Sequence, residues 1–222
     1  VPALELLRLA ELTGEQEFRR AACRALDVSL PILVPDGGDW WETPLHSPNL
    51  LAAGHAALAY ELGYRATGEL RYRAKAIYWL RALLPFTHLW EPLGVNNLYC
   101  TKPCLCATDW VTNSWVDTHV QWEVIQALAL AGMLGIDWAK IDPAIDWRRY
   151  AEGIACAATH WMLDKSRAAE LPYTEDLALG NLDGTLADAH DAVTGQNFGW
   201  QIPPDYLALL IMDVLARRVI FE

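Results

Sequence analysis

Positive charge is what this sequence is short of. Its 17 Lys and Arg stand against 28 Asp and Glu, a net charge of −11, which argues against a surface built for nucleic acid or an anionic membrane. Long hydrophobic runs are missing as well. No stretch of about eighteen residues is apolar and free of charge, so no membrane span is expected. Nor does a basic segment with an apolar core open the chain. It begins at Val1 and is expected to be a mature product or a piece of something longer, any targeting signal being absent. Cysteine is scarce, and its count of five is odd, so at least one thiol is unpaired unless it bonds another chain. Cys100, Cys104 and Cys106 cluster, but C-x3-C-x-C lacks a matching second pair. No metal and no cofactor is expected; buried thiols or a single disulfide both fit, and the redox compartment stays open.

What is present is apolar and aromatic. Apolar residues make up 53% of the 222 positions, enough for a folded core, and eleven are tryptophan. The densest chemistry lies in TDWVTNSWVDTHVQWEVIQA, Thr108 to Ala127. Trp110, Trp115, Trp122, Asp109, Asp117, Glu123, Asn113 and His119 all fall there. The stretch starts as loop, with Asp117-Thr118 a plausible cap, and ends as a helix apolar almost all round. Sites favour such loops on rigid scaffolds.

Taken in order, the pattern predicts helices over 3–12, 15–26, 49–66, 70–84, 119–134, 146–162 and 205–220. The 70–84 helix is expected to bury Leu70, Ala74, Ile77 and Leu80. Proline- and glycine-marked loops separate the helices at 28–48, 85–118 and 163–204. Within the last, Gly180–Thr185 with Asp188 and Asp191 lacks EF-hand spacing and reads as an ordinary turn. Thr13-Gly14-Glu15 before Phe18-Arg19-Arg20 repeats as Thr67-Gly68-Glu69 before Tyr72-Arg73-Ala74, and a copy lacking the turn begins at Trp147-Arg148-Arg149. Each unit is helix, short turn, amphipathic helix, long loop. A helix without a polar face must be buried, and one with a stripe lies outside it. The expectation is therefore an all-α, two-layer antiparallel helical hairpin array in a single domain over 1–222. Helices 49–66, 119–134 and 205–220 should be inner.

Such an array sends its three long loops to one end. They hold thirteen acids against Lys102, Lys165 and Arg167, so nearly all the net negative charge gathers there. Trp40, Trp41, Trp90, Trp110, Trp115 and Trp200 lie in the same loops.

The hairpin LAELTGEQEFRRAACRAL resembles the outer-helix turns of the six-hairpin glycosidase-like proteins, an (α/α)6 toroid superfamily. DWWETPLHSPNLLAAGHAALAY and CATDWVTNSWVDTHVQWEVIQAL resemble segments of large bacterial members. Seven helices make about half of such a ring, by the resemblance its C-terminal half; the rest would be N-terminal or come from another copy. The resemblance implies a glycoside hydrolase-like protein acting on a neutral glycan through a carboxylate acid–base pair in a tryptophan-lined cleft. Asp109, Asp117, Glu123, Asp39 and Glu42 are then the catalytic candidates, with Glu91 a further acid. Trp40, Trp41, His46, Trp90, Asn113, Trp115, His119 and Trp122 are candidates for holding the sugar.

Each has a plainer reading. Asp117 serves equally as a helix cap, Glu123 suits a first helical turn, His46 and His119 serve equally as structural hydrogen bonders, and His55 reads as a core histidine. Two other functions compete. A polysaccharide lyase on the same fold would use residues such as Tyr99, Asn113 and His119, but three loop bases suit an anionic substrate poorly. A non-catalytic glycan-binding or interaction module needs only the tryptophans.

Overall fold

The structure, a computed structural model, describes residues 2–37, 47–89, 98–101, 122–160 and 204–221. These residues gather into two compact units, one from the residues up to Pro85 and one from Phe86 onward. Both are all-α. Among the described residues, Asp36–Gly37 pairs antiparallel with Ser47–Pro48, and Thr87 bridges to Thr101.

The first unit holds α1 (Pro2–Thr13), α2 (Gln16–Ser29), α3 (Leu50–Thr67) and α4 (Leu70–Arg81). Its two hairpins share one turn. Gly14 and Gly68 take φ of 75° and 76°, a left-handed conformation that glycine adopts without a Cβ clash. Their amides donate to Ala10 O at 2.9 Å and Tyr64 O at 2.7 Å. The Thr13 and Thr67 hydroxyls donate to Leu9 O and Gly63 O, each at 2.7 Å, and accept from the amides of Glu15 and Glu69, each at 3.2 Å. The Thr-Gly-Glu repeat is thus a repeat of a hydrogen-bonded turn. Asn49 caps α3, its side chain accepting from Ala52 N at 3.0 Å.

Contacts along the helices fix their directions. Arg19 at the start of α2 reaches Ala66 O at the end of α3, so those two run antiparallel. Tyr72 at the start of α4 meets Cys23 and Asp27, and Lys75 and Tyr78 bond Ile32 O and Leu33 O beyond α2, so α2 and α4 run parallel. α3, with ten buried residues, is the inner element.

One expected face is different. Leu70 is 75% exposed, and α4 buries Tyr72, Lys75, Ala76, Trp79 and Leu80. The aromatic rings turn the helix about its axis, because they bury more apolar area than Leu70 or Ala74. Tyr72 packs 5.9 Å from the Tyr60 ring and donates to Asp27 Oδ1 at 2.6 Å. The Lys75 stem lies inward while its ammonium sits over the Tyr78 and Trp79 rings.

The buried polar centre of this unit is Glu61 on α3, with 1% of its side chain exposed. Arg73 faces it with two nitrogens, Nε at 2.9 Å from Oε2 and Nη2 at 3.1 Å from Oε1; Arg65 Nε adds a bond of 3.1 Å to Oε1. The Arg73 guanidinium lies 4.0 Å from the Tyr64 ring centroid. Burial pushes the Glu61 carboxyl above its ordinary range, against the opposing pull of Arg73 and Arg65.

The second unit holds α5 (Trp122–Met133), α6 (Trp138–Ile141), α7 (Trp147–His160) and α8, the helix Pro204–Phe221. Gln126 near the start of α5 bonds Tyr206 near the start of α8 at 3.1 Å. Past the end of α5, Ile136 O accepts from Arg217 near the end of α8 at 3.2 Å. These two helices are therefore parallel. The start of α7 packs against the end of α5 and the later part of α8, antiparallel to both. α5 is buried over most of its length, but α8 departs from its expected burial. Among its described side chains Leu207 and Leu210 are buried, while Met212 and Leu215 are 65% and 55% exposed. An apolar pattern shows that a helix needs cover, not that its own chain supplies it.

Removing the Glu61 carboxylate strands two guanidiniums. Glu61→Ala is expected to cost roughly 2–4 kcal/mol of unfolding free energy in urea titrations. Arg65→Ala, at a partner 37% exposed, should cost about 1 kcal/mol or less. Equal losses would contradict this account.

Candidate functional site

Within each unit the long connections leave from one end. In the first, residues 30–49 join the end of α2 to the start of α3, and the chain departs from the end of α4 at that same end. In the second, α5 is entered, α7 is left and α8 is entered at one end, and the short link through Gly135 closes the other.

Of the sequence-predicted site residues, Asp39, Trp40, Trp41, Glu42, His46, Trp90, Asp109, Asn113, Trp115, Asp117 and His119 lie outside the described residues, as do Glu91, Cys104 and Cys106. Trp122 is placed as the first residue of α5. Glu123 is placed fully: it sits in the first turn of α5, 6% exposed, at the long-connection end of its unit. One turn further, on the same face, Gln126 donates to the Tyr206 hydroxyl at 3.1 Å. A buried carboxylate and an amide–phenol pair thus lie one helical turn apart at the entry of two parallel helices.

Around the start of α7, toward the other end of the unit, lies a packed aromatic cluster. Tyr150 on α7 is buried, with Thr87 Oγ1 2.9 Å from its hydroxyl; Trp147 meets it edge-on with centroids 5.4 Å apart. Tyr99, a residue of the lyase reading, has φ of 64° and packs its ring 6.5 Å from Tyr150, against Gly153. Any Cβ at position 153 would come within 2.6 Å of that ring, so Tyr99 is committed to packing. His55 is half-buried on α3. Cys100 is buried, and Cys23 and Cys156 are free thiols.

Two ion-pair groups escaped the sequence reading. Glu61 with Arg65 and Arg73 is one. The other joins Arg217 to Asp213 at 2.7 Å and to Asp137 at 3.2 Å. The signal was available in each helix as an i, i+4 acid–arginine spacing, but the pairing to Arg73 and to Asp137 needs the fold. Among the described residues no group of three His, Cys, Asp or Glu is arranged to hold a metal, and no helix is long and apolar enough to cross a membrane.

Set against known proteins, the chain matches no family model, no curated protein and no solved structure.

The buried phenols carry a pH signature. Burial raises the hydroxyl pKa of Tyr150, Tyr72 and Tyr60 above the ordinary tyrosine value. A raised folded-state pKa means the folded state binds those protons more tightly. The stability they contribute is complete below about pH 10 and is lost as pH rises beyond it. At least three of the eight tyrosines should therefore ionise only as the helical signal disappears. Parallel titrations of ultraviolet tyrosinate absorbance and circular dichroism would show this; reversible ionisation of all eight near pH 10 with intact helices would refute it.

Proposed function

We propose that this is a carbohydrate-active protein, glycoside hydrolase-like, that takes a neutral glycan at the end where the long connections leave. One observation carries the reading: the buried Glu123 carboxylate in the first turn of α5, one helical turn before the Gln126–Tyr206 hydrogen bond. A carboxyl with little water around it is the type of group that holds a proton near neutral pH and delivers it to a glycosidic oxygen. An amide and a phenol one turn further are donors suited to sugar hydroxyls. The connection entering α5 carries Asp109, Asp117 and Trp115, and Trp122 opens that helix; the two indoles are surfaces on which sugar faces stack. Asp39 and Glu42 with Trp40 and Trp41 form the second group.

In this mechanism one carboxylic acid protonates the leaving oxygen, and a facing carboxylate either attacks the anomeric carbon or activates a water. Glu123 is assigned to the acid and Asp109 or Asp117 to its partner. The non-catalytic binding module is the second reading; the exposed apolar flank of α8 at Met212 and Leu215 favours a chain that completes its surface against another one. No metal or cofactor enters either reading.

Two measurements test this. On a panel of oligosaccharides, neutral glycans should bind and be hydrolysed. Glu123→Gln and Asp109→Asn should each lower kcat by about 10²–10⁴-fold and leave Kd within a few-fold. Binding without turnover would pass the assignment to the binding module, and preference for polyuronates would pass it to a lyase. In sedimentation the chain should self-associate, and Met212→Lys with Leu215→Lys should shift it to monomer. A wild-type chain that stays monomeric throughout would remove the partner from the proposal.

A further inference from the structure

We propose that the second unit carries a separate binding site for a small neutral aromatic compound of the indole or phenol class. The site is the partly open cavity between α5, α6, α7 and α8 at the short-link end of that unit, with a volume of about 240 Å³. It begins at Leu128, five residues along α5 from Glu123, about 7.5 Å at 1.5 Å per residue, and extends from there toward the short link, away from the proposed sugar site.

Size and lining define the occupant. Interiors are close-packed, and a void of roughly 150 Å³ lined by aliphatic groups already admits benzene. A larger one accommodates two fused rings. The floor is aliphatic, with Leu128, Ala131, Ile136 and Leu210 among its residues. Two indoles form the walls: Trp138 and Trp147, 7% and 3% exposed. Trp147 donates its ring N–H to Asp142 Oδ2 at 3.2 Å, which holds that wall in place. Indole rings and aliphatic side chains in one lining suit a planar ring, which packs against indoles in offset or edge-to-face contact.

The polar edge defines the charge. Arg217 is engaged on three sides, by Asp213 Oδ2 at 2.7 Å, Asp137 Oδ1 at 3.2 Å and the Ile136 carbonyl at 3.2 Å. Arg148 stands 4.0 Å from Asp137. An anionic ligand would have to break these pairs to gain a guanidinium, leaving a carboxylate uncompensated. With Glu152 the edge holds three carboxylates against two arginines, and carboxylates are acceptors only. A ring bearing one N–H or O–H donor meets that edge without disturbing it.

The test uses the full chain with 5-fluoroindole followed by fluorine NMR and indole followed by calorimetry. Saturable one-to-one binding with Kd at or below about 1 mM is expected. So is a shift of the Trp147 indole N–H resonance. Ala151→Leu, which fills the cavity from α7, should weaken binding at least tenfold with helical content unchanged. If that variant fails to fold, Ala139→Val obstructs the opposite wall and must give the same loss. Absence of saturable binding up to the solubility limit, or binding indifferent to a folded blocking variant, overturns the site. Tighter binding of tryptamine or of indole-3-acetate than of indole by more than tenfold overturns the assignment to a neutral compound.

Discussion

A helix with no polar face has to be covered, and most of this architecture follows from that constraint. α3 and α5 are apolar round most of their circumference, so each needs neighbours on several sides. The outer helices supply them, with one face apolar and the other charged. Covering α3 also draws a carboxylate out of water, because Glu61 sits on the buried length of the helix. Arg65 reaches it from the same helix and Arg73 from the next, the latter held flat over Tyr64. The pair of layers and the ion-pair group are therefore one arrangement. α4 cannot slide along α3 without separating Arg73 from Glu61, a separation that leaves a buried charge unpaired.

The parallel run of α5 and α8 has a chemical result. Two helices of the same direction bring their first turns to one end, so Tyr206 meets Gln126, one turn from Glu123, although 80 residues separate Gln126 from Tyr206. An antiparallel pair would have put Tyr206 beside the short link.

The all-α class, the helix positions and the hairpin turns were legible in the sequence. Thr-Gly-Glu is local chemistry: a threonine that bonds back one turn and a glycine free to take positive φ. The cap at Asn49 was legible for the same reason. The buried face of α4 was not, because Leu70, Ala74, Ile77 and Leu80 satisfy helical spacing as well as Tyr72, Ala76 and Trp79 do. Ring area chooses between the two stripes, and it shows only when Tyr60 is opposite. The exposure of Met212 and Leu215 was hidden too, since composition states a need for cover and not its source. Of the candidate site, Glu123 was visible as an acid at a helix start. Its neighbour Tyr206 was not, for the pairing depends on tertiary direction alone. The Asp137–Arg217 pair is of the same kind.

The turns and the parallel pair also set how far the chain must travel to fold. In the first unit each hairpin closes across one Thr-Gly-Glu turn, so its contacts form between near neighbours in sequence. In the second, Gln126 must find Tyr206 and Ile136 must find Arg217 across 80 and 81 residues. Closing a loop of that length costs entropy before any contact repays it, and chains rich in such pairings fold slowly. The hairpins of α1–α2 and α3–α4 can therefore assemble while α5 still waits for α8, with its apolar surface uncovered for that interval.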